Sequence, residues 1–411
     1  MNIPFQARTV DLINLLVSKG SNFLLTALLF SIISGGMSSS SFGEFGYWWS
    51  IAIMIGGVLL GGCASALVRV VSIHSSFKHL IAPLKYVSIG FLFLSLLCLV
   101  LWLALSQYAT QILMVAVVAL FGLSVQLQAT VLTLLRAAQL NRLNFIASSM
   151  SVLLIPLSYW ALIGNTRTLP HTFLILACSF FAVFCLIGVI SYKALGYLLA
   201  GDKVIVKGVK AFLADTTSFT AINIFSYVAV TVDFTIFRLL GSPQDFATMA
   251  TGKIFFERFV LPLLMVFASA VSLQILRQPK THILEKTKIE VRIGSPFLLA
   301  LLTITTLTVL AYFIFIKIIR NDLMGIPIVW LICVSFGYIF FVINGVLLDL
   351  FVVKRPMRIV IAHVFGFMLF GGLLQWVLIS NYGVPGWAFG WLILNIAITA
   401  FLARDCLHLS I

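Results

Sequence analysis

Apolar runs recur along the chain, broken by short stretches where Lys, Arg, Gly, Pro and Ser collect. A run of about 20 apolar residues crosses the hydrocarbon core of a bilayer as a helix, at roughly 1.5 Å of rise per residue. Only helices and closed barrels satisfy every backbone polar group there, and these runs lack the strict alternation of a barrel strand. The pattern predicts twelve spans, at 12–33, 45–71, 82–106, 109–134, 145–165, 171–195, 215–240, 247–275, 294–318, 325–352, 357–380 and 384–405. The fold class is therefore an all-α polytopic membrane protein.

The basic residues orient it. With the amino terminus inside, 19 of the 26 Lys and Arg fall on cytoplasmic segments or adjoining helix ends, Arg69, Arg142, Lys210 and Arg292 among them. Four lie outside (Arg167, Arg238, Lys317, Arg320), and Lys19, Lys253 and Arg258 remain inside the membrane. Such asymmetry across short loops predicts that both termini are cytoplasmic. Asp11 rather than a basic cluster precedes the first apolar run, and no A-x-A site follows, so no cleaved signal is expected.

The basic connection at 196–214 divides the chain into two six-helix lobes, 1–195 and 215–411. Its lysines, Lys203 to Lys210, suit either a surface amphipathic helix on anionic lipid or a plain linker. The halves read as a parallel repeat. A shift of 204 residues places Phe30 on Phe234, Phe42 on Phe246, and Ala64-Ser65-Ala66 on Ala268-Ser269-Ala270, without a gap from about residue 15 to 72. Parallel six-helix repeats are a transporter architecture. Gly56, Gly57, Gly61 and Gly62 contain a G-x-x-x-G spacing, read as close helix packing, with a hinge as the alternative.

Composition narrows the function classes. Hydrophobic residues make up 62% and charged residues 9%, with a mean hydropathy of +1.15. That leaves no room for a soluble catalytic domain. The net charge of +14 lies in loops rather than on one face, which argues against nucleic acid. The six cysteines form no C-x-x-C pair and the six histidines are dispersed, so neither zinc nor a disulfide framework is expected. ATP-binding, zinc-protease and serine-elbow signatures are missing, and no enzyme activity is expected.

The candidate chemistry lies in charges that a bilayer penalises. A charge at the centre of a spanning helix costs about 2.5–3.5 kcal/mol on insertion scales, so it faces a cavity or a partner. Asp233, Lys253, Glu257 and Arg258 fall between Asn223 and Arg258. Asp233 and Lys253 come to similar depth, and Lys253 and Glu257, four apart, share a helix face. Adjacent residues point about 100° apart, so Glu257 and Arg258 face different places. The cluster is either a neutralised packing group or a polar lining for a charged substrate or coupling ion. In the first span Lys19 sits near Asn14 and Asn22, and the repeat aligns Asn223 with Lys19. Lys19 either snorkels to the interface or presents a cation to a phosphate. Asn344, Gln375 and Asn395 are weaker candidates, Asp349 is placed to pair with Lys354 or Arg355, and Gln126 and Gln128 suit interhelical hydrogen bonds.

The stretches "NLLVSKGSNFLLTALLFSII", a short outer loop with "SSSSFGEFGYWWSI", "GGCASALVRVVS" and "VDFTIFRLLGSPQDFATMATGKIFFERF" carry a resemblance. Through them the chain resembles the polysaccharide-transporter (Wzx-type, O-antigen flippase) branch of the multidrug/oligosaccharidyl-lipid/polysaccharide exporter (MOP) superfamily. The resemblance implies two pseudo-symmetric lobes around a central cavity and alternating access in a bacterial inner membrane. It implies an undecaprenyl-diphosphate-linked oligosaccharide as substrate, surrounding membrane lipid, and a polysaccharide polymerase and chain-length regulator as partners. It also implies that Lys19, Lys253 and Arg258 are the substrate-binding cavity cations and Asp233 and Glu257 the acids. Asn14, Asn22 and Asn223 would then be polar lining. No cofactor is expected, with proton or sodium coupling left open. Drug-extruding relatives are expected to carry an acid in the first span; here that helix has Lys19 and no acid beyond Asp11. A cation-coupled multidrug or metabolite exporter, and a membrane polymerase or ligase, are the competing readings.

Overall fold

The structure is a computed structural model that describes residues 28–35, 37–66, 110–138, 140–163, 168–200, 231–261, 327–354 and 357–408. It adds isolated positions at 21, 24–25, 216, 220, 223–224 and 264, and several within 302–313. The spans expected at 82–106 and 294–318 lie largely outside these residues. Seven α-helices are found among them: α1 (Ser39–Gly56), α2 (Thr110–Ala137), α3 (Asn141–Leu162), α4 (Leu169–Ala200), α5 (Pro243–Phe255), α6 (Ile328–Lys354) and α7 (Met357–His408). The π-helical turns Gly57–Gly61 and Phe256–Val260 continue α1 and α5. Residues 28–34 and 231–240 are also helical.

The ends of α1 and α5 explain one departure from the sequence pattern. The stretch from Ser39 to Glu44, expected as outer loop, is helix. Ser38 Oγ accepts the backbone N–H of Ser41 at 3.3 Å, occupying a donor that a helix start otherwise leaves orphaned. At α5, Ser242 Oγ accepts the N–H of Asp245 at 3.1 Å, with Pro243 in the first turn. Both pairs of residues differ by the 204-residue shift, so the repeat reproduces a helix start down to its cap. The two helices also meet: Gly43 lies against Ala247, its repeat counterpart, and Gly46 against Ile254.

The residues fall into two compact units. One comprises 1–27, 37–47 and 229–411; the other comprises 28–36 and 48–228. Helix α1 thus contributes to the first unit up to Tyr47 and to the second from Trp48. The connection expected at 196–214 is helical as far as Ala200, and the rest of it lies outside the described residues.

In the unit containing α2–α4, an aromatic stack forms the core. Phe121 packs on Trp49 at 4.7 Å, Phe173 at 5.5 Å and Phe180 at 5.6 Å between ring centroids. Helices α1 and α2 cross at Gly56 and Gly122: a Cβ on Gly122 would lie 1.9 Å from the Ala52 carbonyl oxygen, and one on Gly56 would lie 2.2 Å from that of Gly122. Small residues allow this backbone approach, as the glycine pattern implied. A Cβ on Gly61 or Gly62 would strike Asn223 or Thr220. Gln128 Nε2 donates to Ser151 Oγ at 2.5 Å, joining α2 to α3 as expected of that glutamine.

In the other unit α6 packs along α7. Helix α7 is two helices meeting at Gly383, whose φ of 60° and ψ of −130° only glycine adopts readily. The predicted break at 381–383 is therefore present as a kink. Beyond it the legs close up, since a Cβ on Gly386 would lie 1.9 Å from the Leu378 carbonyl oxygen. Asn344 Nδ2 donates to Asn395 O at 3.1 Å, and Thr399 Oγ1 donates to Asn344 Oδ1 at 2.6 Å, tying α6 to the second leg.

Six described helices are long and apolar enough to cross a membrane, the last, Arg358–Asp405, with 48 residues. At about 1.5 Å per residue that length suffices for two crossings of a core about 30 Å thick. Outward faces are apolar: Leu153, Trp160, Val189 and Leu373 each expose roughly two thirds or more of their area. Faces of that kind require lipid rather than water.

Candidate functional site

The helical stretch 231–240, helix α5 with its π-helical turn, and the second leg of α7 bring a charged cluster together inside one unit. Lys253, in the last turn of α5, is fully buried. Its ammonium is hydrogen-bonded to Asp233 Oδ1 and lies 3.6 Å from Glu257 Oε1, one turn further along the same helix face. Asp233 accepts two more hydrogen bonds, from Trp387 Nε1 to Oδ2 at 2.8 Å and from the Phe234 backbone N–H to Oδ1 at 2.8 Å. The ammonium sits 4.6 Å from the Phe234 ring centroid and 5.9 Å from that of Trp391, where ring quadrupoles favour a cation. Burying a charge is tolerated when it is paired and hydrogen-bonded, and Asp233 and Lys253 are both.

Aromatics close the cluster. Phe256 stacks on Tyr338 at 5.4 Å, and Tyr338 packs on Trp391 at 5.2 Å. Trp387, Gly390 and Trp391 share one helix face, and Gly390 makes room for Gln375 on the first leg, whose carboxamide atoms lie 3.0–3.2 Å from where a Cβ would stand. Gln375 is 2% exposed. Among the described residues neither its carboxamide nor the Trp391 indole N–H finds a hydrogen-bond partner. Among the described residues, two carboxylates face one ammonium.

The internal repeat carries apolar residues where this half carries the charges. The positions equivalent to Asp233, Lys253 and Glu257 are Leu29, Trp49 and Ile53. Leu29 and Trp49 are buried, and Phe30 meets Trp49 edge-on at 5.1 Å where Phe234 meets the Lys253 ammonium. One half fills the register with apolar contacts, the other with an ion cluster.

The remaining expected residues fall elsewhere. Lys19, Asn14 and Asn22 lie outside the described residues, as do the side chains of Arg258 and Asp349. Asn223 is partly buried against Gly61 in the unit that lacks the cluster. Lys253 is withdrawn from solvent and held by carboxylates within its own unit. Arg238 pairs with Glu44 at 3.1 Å and lies 4.5 Å from the Tyr47 ring centroid, partly exposed. Sequence reasoning missed Trp387, which completes the Asp233 shell from 154 residues away. The available signal was a tryptophan in mid-span, where the indole N–H must find an acceptor.

No family model matches the chain, and no curated protein does. Solved structures do. The bent form of the MATE transporter VcmN from Vibrio cholerae matches with a TM-score of 0.57 at 15% identity, over 99% of this chain and 96% of that one. A MOP-superfamily transporter from Pyrococcus furiosus, described as having a binding pocket of reverse polarity that suggests a different function, matches at 0.64 and 13%, over 98% and 96%. The outward-facing conformation of a multidrug resistance MATE family transporter matches at 0.63 and 13%, over 100% and 97%. The chain is a multi-pass membrane protein with the all-helical fold of the MATE transporters of the MOP superfamily.

Proposed function

We propose that this protein is a flippase that carries an undecaprenyl-diphosphate-linked oligosaccharide from the cytoplasmic to the periplasmic leaflet of a bacterial inner membrane, by alternating access, with both termini cytoplasmic. The observation that carries the reading is that the buried carboxylates Asp233 and Glu257 are already opposed by Lys253. Bare acids would suit a cationic drug; acids that already share an internal ammonium suit one less. The first span adds Lys19 and no acid beyond Asp11, which suits an anionic headgroup. Lys19 and Arg258 meet the diphosphate in this scheme, Asn14, Asn22 and Asn223 meet sugar hydroxyls, and the polyprenyl tail stays in lipid. A polysaccharide polymerase and a chain-length regulator take over the delivered unit.

A multidrug exporter is the second reading, favoured by the fold it shares with a multidrug resistance MATE transporter. The test is repeat-unit translocation in cells lacking the protein, complemented by wild type, Lys19→Ala or Arg258→Ala. Loss of surface polysaccharide with cytoplasmic-leaflet accumulation, restored by wild type and by neither variant, is the expected result. Normal surface polysaccharide in the deletion strain, with heightened sensitivity to cationic drugs, would replace this reading with the exporter.

A further inference from the structure

We propose that Lys253 is a built-in counter-cation: its ammonium occupies the place a coupling sodium ion would take between Asp233 and Glu257, so the native cluster binds no metal cation. The donor set argues against a metal. Asp233 Oδ1 already serves the Lys253 ammonium and the Phe234 N–H, and Oδ2 serves the Trp387 indole. A hard cation needs several oxygens directed at it, and with the ammonium in place the carboxylates of Asp233 and of Glu257, at 3.6 Å, are both directed at Lys253 instead. The Phe234 ring adds a face that favours the ammonium, 4.6 Å from it.

The repeat separates this role from packing. Trp49 occupies the register of Lys253 in the other half, where an apolar side chain fills it. A lysine at this position is a choice about charge. It supplies what an exchangeable cation would supply, while remaining tethered to its helix. Removing the side chain beyond Cβ should therefore open an acidic, partly aromatic cavity that recruits a small monovalent cation from solution.

The experiment measures thermal unfolding of the purified full-length protein in lipid nanodiscs, in sodium, potassium, methylammonium or choline chloride at equal ionic strength. Wild type should melt at one temperature in all four. Lys253→Ala should melt lower in choline and regain several degrees in sodium or methylammonium, since a ligand that binds only the folded state stabilises it. Lys253→Ala combined with Asp233→Asn should lose that cation response. A sodium-specific rise in wild type overturns the proposal. So does a monodisperse Lys253→Ala protein indifferent to every cation. Should Lys253→Ala fail to fold, radioactive-sodium binding to wild type decides: saturable binding refutes the proposal, and its absence, with the single melting temperature, supports it. These readouts do not depend on what is carried. The consequence that transport ignores the sodium gradient does rest on the transporter reading, and its failure alone would leave the binding result intact.

Discussion

Replacing Lys253 by Met keeps the length of the side chain and deletes its charge, which isolates the electrostatic role of the ammonium. At an effective dielectric of about 20, charges 3.6 Å apart, the separation of Lys253 and Glu257, attract by about 4.6 kcal/mol. Asp233 lies closer still. Much of that attraction offsets desolvation of groups that are almost fully buried. Deleting one partner leaves the desolvation and removes the compensation, which costs about 3–5 kcal/mol for a buried pair. Trp387 and the Phe234 N–H continue to serve Asp233, so the lower part of that range is expected. Removing the stranded charge as well, with Asp233→Asn, should recover most of the loss, leaving a coupling energy of about 2–3 kcal/mol within the range for residues in contact. The assay is reversible denaturant unfolding in mixed micelles of wild type, both single variants and the double variant. If Lys253→Met unfolds within about 1 kcal/mol of wild type, or the two effects simply add, the ammonium is not compensating Asp233 and the reasoning fails.

Replacing the whole cluster by apolar residues, as Asp233→Leu with Lys253→Met and Glu257→Leu, should preserve stability within about 1–2 kcal/mol, because well-packed apolar groups often replace buried ion pairs without loss. The same variant should lose transport, read as absent complementation at normal membrane abundance. Gly122→Ala places a methyl 1.9 Å from the Ala52 carbonyl oxygen and should cost about 1–3 kcal/mol or more by overpacking. Gly188→Ala, with open space around its Cβ position, should instead stabilise α4 by about 0.5–1 kcal/mol; melting curves of the two variants check both signs. Asn344→Ala removes the bonds to Asn395 and Thr399 and should cost about 0.6–2 kcal/mol, the range for interhelical hydrogen bonds in membranes. Ser38→Ala and Ser242→Ala should each cost about 1 kcal/mol, and similar amounts, as equivalent caps of one repeat.

What the chain determined by itself is whatever depends on local spacing and on the bilayer as solvent. Apolar runs of spanning length, the basic loops between them and the break near Gly383 are set by transfer free energies and by single-residue backbone freedom, and each was legible residue by residue. The repeat was legible too, because a gapless shift needs no three-dimensional knowledge. The shared face of Lys253 and Glu257 followed from helical spacing and the similar depth of Asp233 and Lys253 from the span positions, but neither chose between a neutralised cluster and a polar lining. Helix starts were less so: Ser38 and Ser242 act as caps only because the following N–H groups turn toward them. The tertiary structure alone decided that Trp387, from the far end of the chain, would complete the Asp233 shell, and that Lys253 would be closed in under Phe234 and Trp391. A buried charge must find its compensation wherever packing brings a donor or an acceptor, and periodicity along one helix carries no record of which distant helix will supply it.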